Sequence, residues 1–468
     1  MRYVSTRGQA PVLGFEDVLL AGLAEDGGLY LPESWPSFSA AEWRAMRALP
    51  YADLAARIMQ PFSDGALSHD TLRDLCRDAY AGFGHPAVVP LVQLDQRLFA
   101  AELFHGPTLA FKDMALQLLG RLFDHVLAKR DARVAIVGAT SGDTGSAAIE
   151  ACRDRDRVSI VILHPHGRTS EVQRRQMTTV MSANVGNIAL EGTFDDCQDL
   201  LKAMFADAPF RRELHLSAVN SINWARIAAQ VAYYAWTALL LGAPDRPVAF
   251  SVPSGNFGNV FAAWVAARMG LPVAKLIIGT NRNDILARFL AANDMSAAPV
   301  QPSLSPSMDI QVSSNFERLL FEMLGRDGAA TAEAMRRFRA EGRMPVPDAA
   351  WRQVATQFAG HTLDDAGTLA AIRSWHARTG YVADPHSVIG LEAARAHMPE
   401  DTAIPVIAMA CAHPAKFPDA VERATGLRPP LPPRLADLYQ RAERFTVLPA
   451  DLATVEGFVR GIALRNAA

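Results

Sequence analysis

Residues 133–163 read RVAIVGATSGDTGSAAIEACRDRDRVSIVIL, and this stretch alternates between two kinds of local pattern. Its apolar ends, Arg133–Val137 and Val158–Leu163, are typical of short buried strands, and the alanine-rich segment Ser146–Arg153 is typical of a helix. The glycine-rich segment Gly138–Gly145 joins the first strand to the helix. This order predicts a parallel βαβ unit, and therefore an α/β fold that binds ligands at the carboxyl ends of its strands.

A second unit of the same kind follows later in the chain. It comprises a predicted strand at Val248–Val252, a loop at Pro253–Asn259, a helix at Val260–Met269 and a strand at Val273–Ile278. The first ninety or so residues instead predict short helices between turns, up to a boundary near Pro86. The sequence therefore predicts a mostly helical N-terminal region followed by repeated strand and helix units.

The charge balance excludes one class of partner. Lysine and arginine number 46 and aspartate and glutamate 49, so the formal net charge is 46 − 49 = −3. A nearly neutral chain does not bind nucleic acid through bulk positive charge, and we expect no nucleic-acid partner. With 50% hydrophobic and 20% charged residues, the chain resembles ordinary globular proteins and has room for two or three domains.

The cysteines and the apolar segments bear on where the protein works. The four cysteines are widely spaced, which argues against a disulfide framework or a zinc site and for a reducing compartment. The N-terminus lacks an apolar stretch of the signal-peptide type. Two segments without formal charge, 227–244 and 247–267, contain polar side chains and predict buried core and not membrane spans. We therefore expect a cytoplasmic protein with no membrane partner and no bound metal.

Two glycine-rich loops stand where a strand leads into a helix. Ser254–Asn259 (SGNFGN) is typical of a phosphate site, because glycines allow close approach and the helix N-terminus offers free N–H groups. Gly138–Gly145 could bind phosphate or carboxylate in the same way. Neither loop has the spacing of a Walker A or dinucleotide-binding motif. The alternative is that both are merely tight turns between strand and helix.

Only five of the 46 basic residues are lysines, which limits any chemistry that needs a primary amine. Lys129, Lys202 and Lys275 have surroundings typical of exposed side chains. Lys112 lies at the beginning of a helix whose periodic part is predicted at Met114–Lys129, and the helix dipole there disfavours an ammonium and should lower the pKa of Lys112. We therefore predict Lys112 as the reactive amine, with Lys416 as the second candidate. A reactive lysine beside two anion-binding loops suggests pyridoxal phosphate, an aldehyde that carries a phosphate.

Seven motifs carry a family resemblance. The longer ones are His105–Asp113 (HGPTLAFKD), Gly138–Gly145 (GATSGDTG) and Pro253–Gly258 (PSGNFG). The shorter ones are Ser5–Gly8 (STRG), Asp26–Pro32 (DGGLYLP), Asn220–Asn223 (NSIN) and Ala412–Phe417 (AHPAKF). Together they resemble those of the threonine synthases, pyridoxal-phosphate enzymes of the tryptophan-synthase-β fold group, or fold type II. The second motif alone would also fit the cysteine synthases.

The resemblance implies an α/β fold with two doubly wound, mainly parallel-sheet domains and an additional, mostly helical N-terminal domain. The N-terminal domain would span residues 1–90. Residues 91–130 and 225–468 would form the large domain that binds pyridoxal phosphate, and residues 131–224 a smaller domain that closes over the substrate.

The resemblance also implies roles for individual residues. Lys112 would be the Schiff-base lysine and would move protons. The cofactor phosphate would be held by Ser254, Gly255, Asn256, Phe257, Gly258 and Asn259. The substrate carboxylate and the ring would meet Thr140, Ser141, Gly142, Asp143 and Thr144. The phosphate of O-phosphohomoserine would be held by Asn220, Ser221 and Arg226, since an arginine fork matches phosphate oxygens.

Two positions depart from the pattern of related enzymes. Cys411 stands where these enzymes usually carry a serine or threonine against the pyridine nitrogen, and a thiol is a weak hydrogen-bonding group. Asp143 stands where cysteine synthases carry asparagine against the ring hydroxyl, so a carboxylate there needs a shared proton or another partner. The resemblance leaves the role of Lys416 open.

The expected reaction converts O-phospho-L-homoserine and water to L-threonine and phosphate, the last step of threonine biosynthesis. It would proceed by γ-elimination of phosphate and β-addition of water. The alternatives are a threonine or serine dehydratase, a cysteine synthase, or a non-catalytic homologue that binds metabolites. We expect a monomer or a homodimer.

Overall fold

The N-terminal region packs short helices around a small antiparallel sheet. The computed structural model of the protein describes residues 1–140, 142–217 and 222–465. The first elements are β1 (Arg2–Ser5), β2 (Leu13–Gly14), α1 (Phe15–Ala21), β3 (Tyr30–Pro32), α2 (Ala40–Met46), α3 (Tyr51–Met59) and α4 (His69–Tyr80). The strands pair in the order β2-β1-β3. The sequence predicts only helices and turns here, because strands of two to four residues are too short to show an alternating pattern.

The chain then builds its first βαβ units. The next elements are β4 (Leu91–Gln93), β5 (Leu98–Glu102), α5 (Lys112–Lys129), β6 (Val134–Ala139), α6 (Asp143–Cys152), β7 (Val158–Pro165), α7 (Glu171–Thr178), β8 (Val185–Glu191), α8 (Phe194–Ala206) and α9 (Ala208–Glu213). α5 and α6 pack so closely that a methyl group on Gly120 would collide with the backbone of Ala151.

The rest of the chain alternates again. Its elements are α10 (Trp224–Leu240), β9 (Val248–Pro253), α11 (Gly258–Arg268), β10 (Val273–Thr280), α12 (Ile285–Ala292), α13 (Phe316–Met323), α14 (Gly328–Glu341), α15 (Asp348–Gln357), β11 (Phe358–Thr362), α16 (Asp365–Thr379), α17 (Pro385–Ala396), β12 (Val406–Ala410), α18 (Pro418–Thr425), β13 (Thr446–Pro449) and α19 (Leu452–Arg465). Short 3₁₀ turns lie at Pro306–Met308, Pro414–Lys416 and Pro433–Leu435.

Two mainly parallel sheets form the framework. The larger sheet has the order β11-β10-β9-β12-β5-β4, and only β4 runs antiparallel to its neighbour. Its register places Ala408 of β12 between Ser251 of β9 and Ala100 of β5. The smaller sheet has the order β13-β8-β7-β6 and is parallel throughout. The predicted α/β class with mainly parallel sheets and a mostly helical N-terminal region is confirmed.

The smaller sheet takes one strand from an unexpected place. β13 pairs with β8, and Val455, Val459 and Ile462 of α19 join the apolar cluster of this sheet. The family resemblance implied that these C-terminal residues belong to the large domain, within residues 225–468. The short strand carries no signal for either sheet, so its place depends on packing with residues far away in the chain. The remaining domain boundaries stay a prediction.

Three helices that follow strand ends begin two to three residues earlier than the sequence predicts. α5 begins at Lys112, α6 at Asp143 and α11 at Gly258, so residues predicted as loop form a first helical turn. The first four N–H groups of a helix have no intrahelical acceptor. A helix that begins at the carboxyl edge of a sheet can therefore offer backbone donors there, but at the start of α5 Asp113 N and Met114 N already donate to Ala110 O and Phe111 O.

Candidate active site

A cavity of about 420 Å³ lies beside the beginnings of α5, α6, α10 and α11. It brings together most of the residues predicted for the site: Lys112, Asp143, Thr144, Arg226, Ser254, Gly255, Asn256, Phe257, Gly258, Asn259 and Cys411. Thr140 and Gly142 lie next to it without lining it. The predicted site residues Ser141, Asn220 and Ser221 lie outside the described part of the chain.

The glycine loop after β9 has the geometry of an anion cradle. Phe257 adopts a left-handed backbone conformation (φ 62°) directly before α11, which turns the chain sharply into the helix. Ser313 Oγ donates to Gly255 O at 2.8 Å, and Ser314 N donates to Asn256 Oδ1 at 2.7 Å. These bonds hold the loop from behind, so the free N–H groups at the helix start face the cavity side. A phosphate fits this donor set.

The loop after β6 is stabilised by one of its own side chains. Thr140 Oγ1 accepts hydrogen bonds from Gly142 N and Gly145 N, both at 3.0 Å. Gly142 has a φ of 150°, and a side chain there would collide with Gln173. Thr140 and Gly142 therefore shape the loop that presents Asp143 and Thr144 to the cavity. Their direct contact with a substrate stays a prediction.

Lys112 is the first residue of α5, and its side chain is only 11% exposed. Burial lowers its pKa below the usual range for lysine, Asp143 opposes this shift, and the cations Lys416 and Arg226 reinforce it. A lysine in these surroundings loses its proton more readily than an exposed one. This is the state in which an amine attacks an aldehyde.

Asp143 lies between two lysines. Its Oδ1 accepts from Lys416 Nζ at 2.8 Å and from Gln173 Nε2 at 2.9 Å, while its Oδ2 is 3.7 Å from Lys112 Nζ. Burial alone would raise its pKa, but the charges of Lys416 and Lys112 outweigh burial and hold the pKa well below the usual range. Asp143 is therefore a permanent carboxylate. Its partner is Lys416, whose role the motif alone leaves open.

Cys411 follows β12 and lines the cavity with a neutral thiol. Burial raises its pKa above the ordinary value for cysteine. Asn259 Nδ2 lies 4.0 Å from Cys411 Sγ, while Asn259 Oδ1 accepts from the hydroxyls of Tyr233 and Tyr234, both at 2.6 Å. The thiol of Cys411 thus lies beside the hydrogen-bonded amide of Asn259. Its predicted place against the pyridine nitrogen stays a prediction.

Arg226 is a buried cation in the cavity wall. It lies in the first turn of α10, is 4% exposed and lines the cavity. Its Nε and Nη1 make no hydrogen bond to the described residues. Burial lowers its pKa to about 10, so it remains charged at neutral pH. Since buried guanidinium groups are normally paired, its free donors fit an anionic ligand.

A buried pair, His386 and Asp384, was not predicted from the sequence, and its histidine lines the cavity. His386 Nδ1 lies 2.7 Å from Asp384 Oδ2, and its Nε2 accepts from Ser307 N at 3.3 Å. His386 and Ser307 both line the cavity. An aspartate followed by proline marks the beginning of α17 and could have identified the helix start. No local signal shows that the residue after this proline, His386, faces a cavity whose walls come from segments as distant in the chain as Phe111 and Lys112.

Two further features are absent from the described residues. No helix in them combines the length and apolarity needed to cross a bilayer. No group of three or more histidine, cysteine, aspartate or glutamate side chains is arranged there to hold a metal ion.

Sequence comparisons cover nearly the whole chain. The family profiles that match are "Threonine synthase N terminus" at residues 2–80, "Pyridoxal-phosphate dependent enzyme" at 86–355 and "Threonine synthase, C-terminal" at 387–459. The threonine synthase of Pseudomonas aeruginosa is 56% identical over 460 residues, with 98% of each chain covered.

Solved structures give the same result. The threonine synthase of Brucella melitensis, described as bound to pyridoxal phosphate, has 52% identity and a TM-score of 0.97, with 99% of each chain covered. The yeast threonine synthase has 37% identity and a TM-score of 0.94 over 99% of each chain. The predicted fold type II arrangement and the predicted cofactor are confirmed. The chain belongs to the threonine synthase family of pyridoxal-phosphate-dependent enzymes.

Proposed function

We propose that the protein converts O-phospho-L-homoserine and water to L-threonine and phosphate in the cavity described above, with Lys112 holding pyridoxal phosphate. The observation that carries this substrate is Arg226, a buried guanidinium in the same cavity as Lys112 and the glycine cradle, whose Nε and Nη1 have no acceptor among the described residues. The cavity thus offers two separate sites for anions. One suits the cofactor phosphate, and the other suits a phosphate on the substrate.

The second anion site separates this function from its alternatives. The substrates of a dehydratase or a cysteine synthase need no second phosphate site. A buried arginine without a partner would destabilise such an enzyme without contributing to binding. O-Phosphohomoserine supplies a doubly charged phosphate that can accept the free donors of Arg226. Arg226 therefore favours the phosphorylated substrate over the alternatives.

The substrate carboxylate belongs at the beginning of α6 in this proposal. Free N–H groups there and the Thr144 side chain face the cavity, and the helix dipole favours a negative charge. The substrate would thus be held at both ends, by α6 and by Arg226. Two fixed ends orient the carbon chain between them for attack.

Lys112 moves the protons. Bound pyridoxal phosphate supplies an electron sink that makes the hydrogen on the substrate's α-carbon acidic. Lys112 Nζ, freed as a neutral amine, takes this α-proton. A β-proton then leaves, phosphate departs from the γ-carbon, and the γ-carbon is protonated. The hydroxyl of a water molecule adds to the β-carbon, and a proton returns to the α-carbon. Overall, one water is consumed and one phosphate is released for each threonine.

We also propose that the protein works in the cytoplasm as a monomer or homodimer. All four cysteines are buried and unpaired, which suits a reducing compartment. Light scattering on the purified chain distinguishes the monomer from the homodimer.

The test is a product assay on the purified chain loaded with pyridoxal phosphate. With O-phosphohomoserine as substrate, we expect threonine and phosphate in equal amounts. A protein that forms a keto acid from threonine or serine, and no threonine from O-phosphohomoserine, would be a dehydratase. Formation of cysteine from O-acetylserine and sulfide would identify a cysteine synthase. A chain that shows no visible absorbance after incubation with pyridoxal phosphate would contradict each of the enzymatic functions.

A further inference from the structure

Three further buried ionic groups lie around the reactive amine of Lys112: Asp143, Arg226 and Lys416. We call them the cavity charge cluster. Asp143 is the only carboxylate among them, and it makes its short contact, at 2.8 Å, with Lys416 and not with Lys112, which is 3.7 Å away. The carboxylate that lies beside the reactive amine is therefore already paired with another lysine.

Lys416 is fixed in place and does not reach the cavity. Its side chain is fully buried, and besides Asp143 it donates to Thr108 O at 2.8 Å. Thr108 is itself held, because its N–H and hydroxyl both donate to Asp113 and its carbonyl also accepts from Gln176. Lys416 is absent from the cavity wall. It can therefore influence Lys112 only through Asp143 and through its charge.

The pairing has a consequence for the chemistry of Lys112. An amine condenses with an aldehyde, with release of one water, only after it has lost its ammonium proton. A lone buried carboxylate beside Lys112 would stabilise the ammonium and hold that proton. We propose that Lys416 is a positioning residue that neutralises Asp143, so that Lys112 remains available as a free amine. This inference rests on the proposed role of Lys112.

The charged and titratable groups that face Lys112 agree with this role. Burial acts most strongly and lowers the pKa of Lys112; Asp143 raises it, Lys416 and Arg226 lower it, and Cys411 raises it. Asp113, which accepts from Thr108, has a pKa raised to about 6 by burial, and the charge of Lys416 opposes that shift. Lys416 is thus the cation that most directly offsets Asp143.

The test measures how fast the cofactor-free full-length chain takes up pyridoxal phosphate at different pH values. Uptake is followed by visible absorbance, and borohydride reduction with peptide mass analysis identifies the labelled lysine. Lys416→Met should raise the pH midpoint of the uptake rate by at least about one unit relative to the wild type. At a pH below the midpoints of both proteins, this shift corresponds to uptake that is about tenfold slower in the variant. Lys416→Arg keeps the charge and should restore the midpoint. Asp143→Asn should lower it.

Two further variants serve as controls for this experiment. Lys202→Ala removes an exposed lysine that pairs with Asp199, and it should leave the midpoint unchanged. If Lys416→Met does not fold, Asp143→Asn is compared with the double variant that also carries Lys416→Met. The added change should then raise the midpoint. A midpoint that Lys416→Met leaves unchanged or lowers, with the label still on Lys112, overturns this inference alone. A label on another lysine overturns the role of Lys112 and this inference with it.

Discussion

Lys112 and Arg226 are both buried cations in one cavity, and burial affects the two side chains differently. The pKa of Lys112 is lowered so that its amine can become neutral, which chemistry at an aldehyde requires. The pKa of Arg226 is lowered only to about 10, so its guanidinium stays charged and can bind an anion. One site thus uses two basic residues for opposite states of protonation.

Lys112 should be indispensable. Lys112→Ala is expected to reduce phosphate release from O-phosphohomoserine at least about 10³-fold, because both the cofactor attachment and the proton carrier are lost. Lys112→Arg should be equally inactive, since a guanidinium does not condense with an aldehyde. Circular dichroism and thermal unfolding should show that the folds of both variants are intact. Phosphate release at the normal rate by either variant would contradict the assignment.

Replacing Arg226 should weaken substrate binding without destabilising the fold. Arg226→Met is expected to lower kcat/KM for O-phosphohomoserine about 100-fold, which corresponds to about 3 kcal/mol of lost charge-assisted hydrogen bonds. The free energy of unfolding without substrate should stay the same or rise by about 1 kcal/mol, because an unpaired buried charge is removed. Steady-state kinetics and urea titration measure the two effects. Arg226→Lys keeps the charge and loses the forked pair of donors, so its kcat/KM should lie between those of the wild type and Arg226→Met.

At the scale of the elements, the site depends on how closely α5 and α6 approach. These helices begin with Lys112 and Asp143, and they cross at Gly120 and Ala151. A methyl group on Gly120 would lie 2.9 Å from the carbonyl carbon of Ala151 and closer still to its oxygen. The two helices could accept that methyl group only by moving apart. Such a movement would also separate the residues at their first turns.

Gly120→Ala should therefore destabilise the protein by about 3 kcal/mol and weaken retention of pyridoxal phosphate. Urea titration measures the first effect, and loss of visible absorbance during dialysis measures the second. Gly457→Ala in α19 is the matched control, since nothing lies within 4 Å of its added methyl group. That variant should gain up to about 1 kcal/mol from helix propensity. Equal effects of the two changes would contradict close packing at Gly120.

The turn after β12 should make stability depend on pH. Burial lowers the pKa of His413 to about 4, below the value of about 6.5 expected in the unfolded chain. The unfolded chain therefore binds the proton more readily, so His413 contributes stability at neutral pH that is lost as the pH falls from about 6.5 towards 4.

His413→Asn should reduce this loss. Asparagine can still accept from Ala415 N, which His413 Nδ1 does at 3.1 Å, and it has no proton to bind. Between pH 7 and pH 5, the wild-type free energy of unfolding should fall by about 1 kcal/mol more than that of the variant, after allowance for partial exposure. Urea titrations at the two pH values provide the measurement. Parallel losses in both proteins would show that other groups cause the pH dependence.

Some of these elements could be predicted from the sequence and others could not. The glycine loops, the lysine and the strand-to-helix order were predictable, because each depends on residues close together in the chain. The first turns of α5, α6 and α11 were not, since glycine and polar residues favour loops until packing extends the helix. The partners Lys416 and His386 could not be assigned either. They reach the site through β12 and α17, and only the pairing of distant strands brings them there.

At the scale of the whole molecule, the N-terminal region supports the cofactor cradle from a distance. Arg7 Nε and Nη2 donate to the carboxylate of the buried Glu317, both at 3.0 Å, and Thr6 Oγ1 donates to it at 2.6 Å. Glu317 lies in the first turn of α13, just after Asn315, whose N–H donates to Asn256 O in the cradle. The STRG motif is thus connected to the cradle through one helix end.

Arg7→Met should therefore affect both stability and cofactor binding. It leaves a buried carboxylate without its cation, and we expect a loss of about 2 kcal/mol in the free energy of unfolding. Faster loss of pyridoxal phosphate on dialysis should accompany it. Adding Glu317→Gln to this variant removes the unpaired charge, and it should recover part of the free energy of unfolding and part of the cofactor retention. Unchanged cofactor retention in a variant that is destabilised as expected would show that the connection does not reach the cradle.

The membership of β13 in the smaller sheet orders events during synthesis of the protein. β8 ends at Glu191, but its outer neighbour begins only at Thr446, so four strands of the larger sheet, β9 to β12, emerge from the ribosome in between. Throughout that interval the nascent chain carries an uncovered edge on β8, and uncovered strand edges pair readily with other chains. The edge of β8 is therefore where a chaperone would protect the growing chain most usefully.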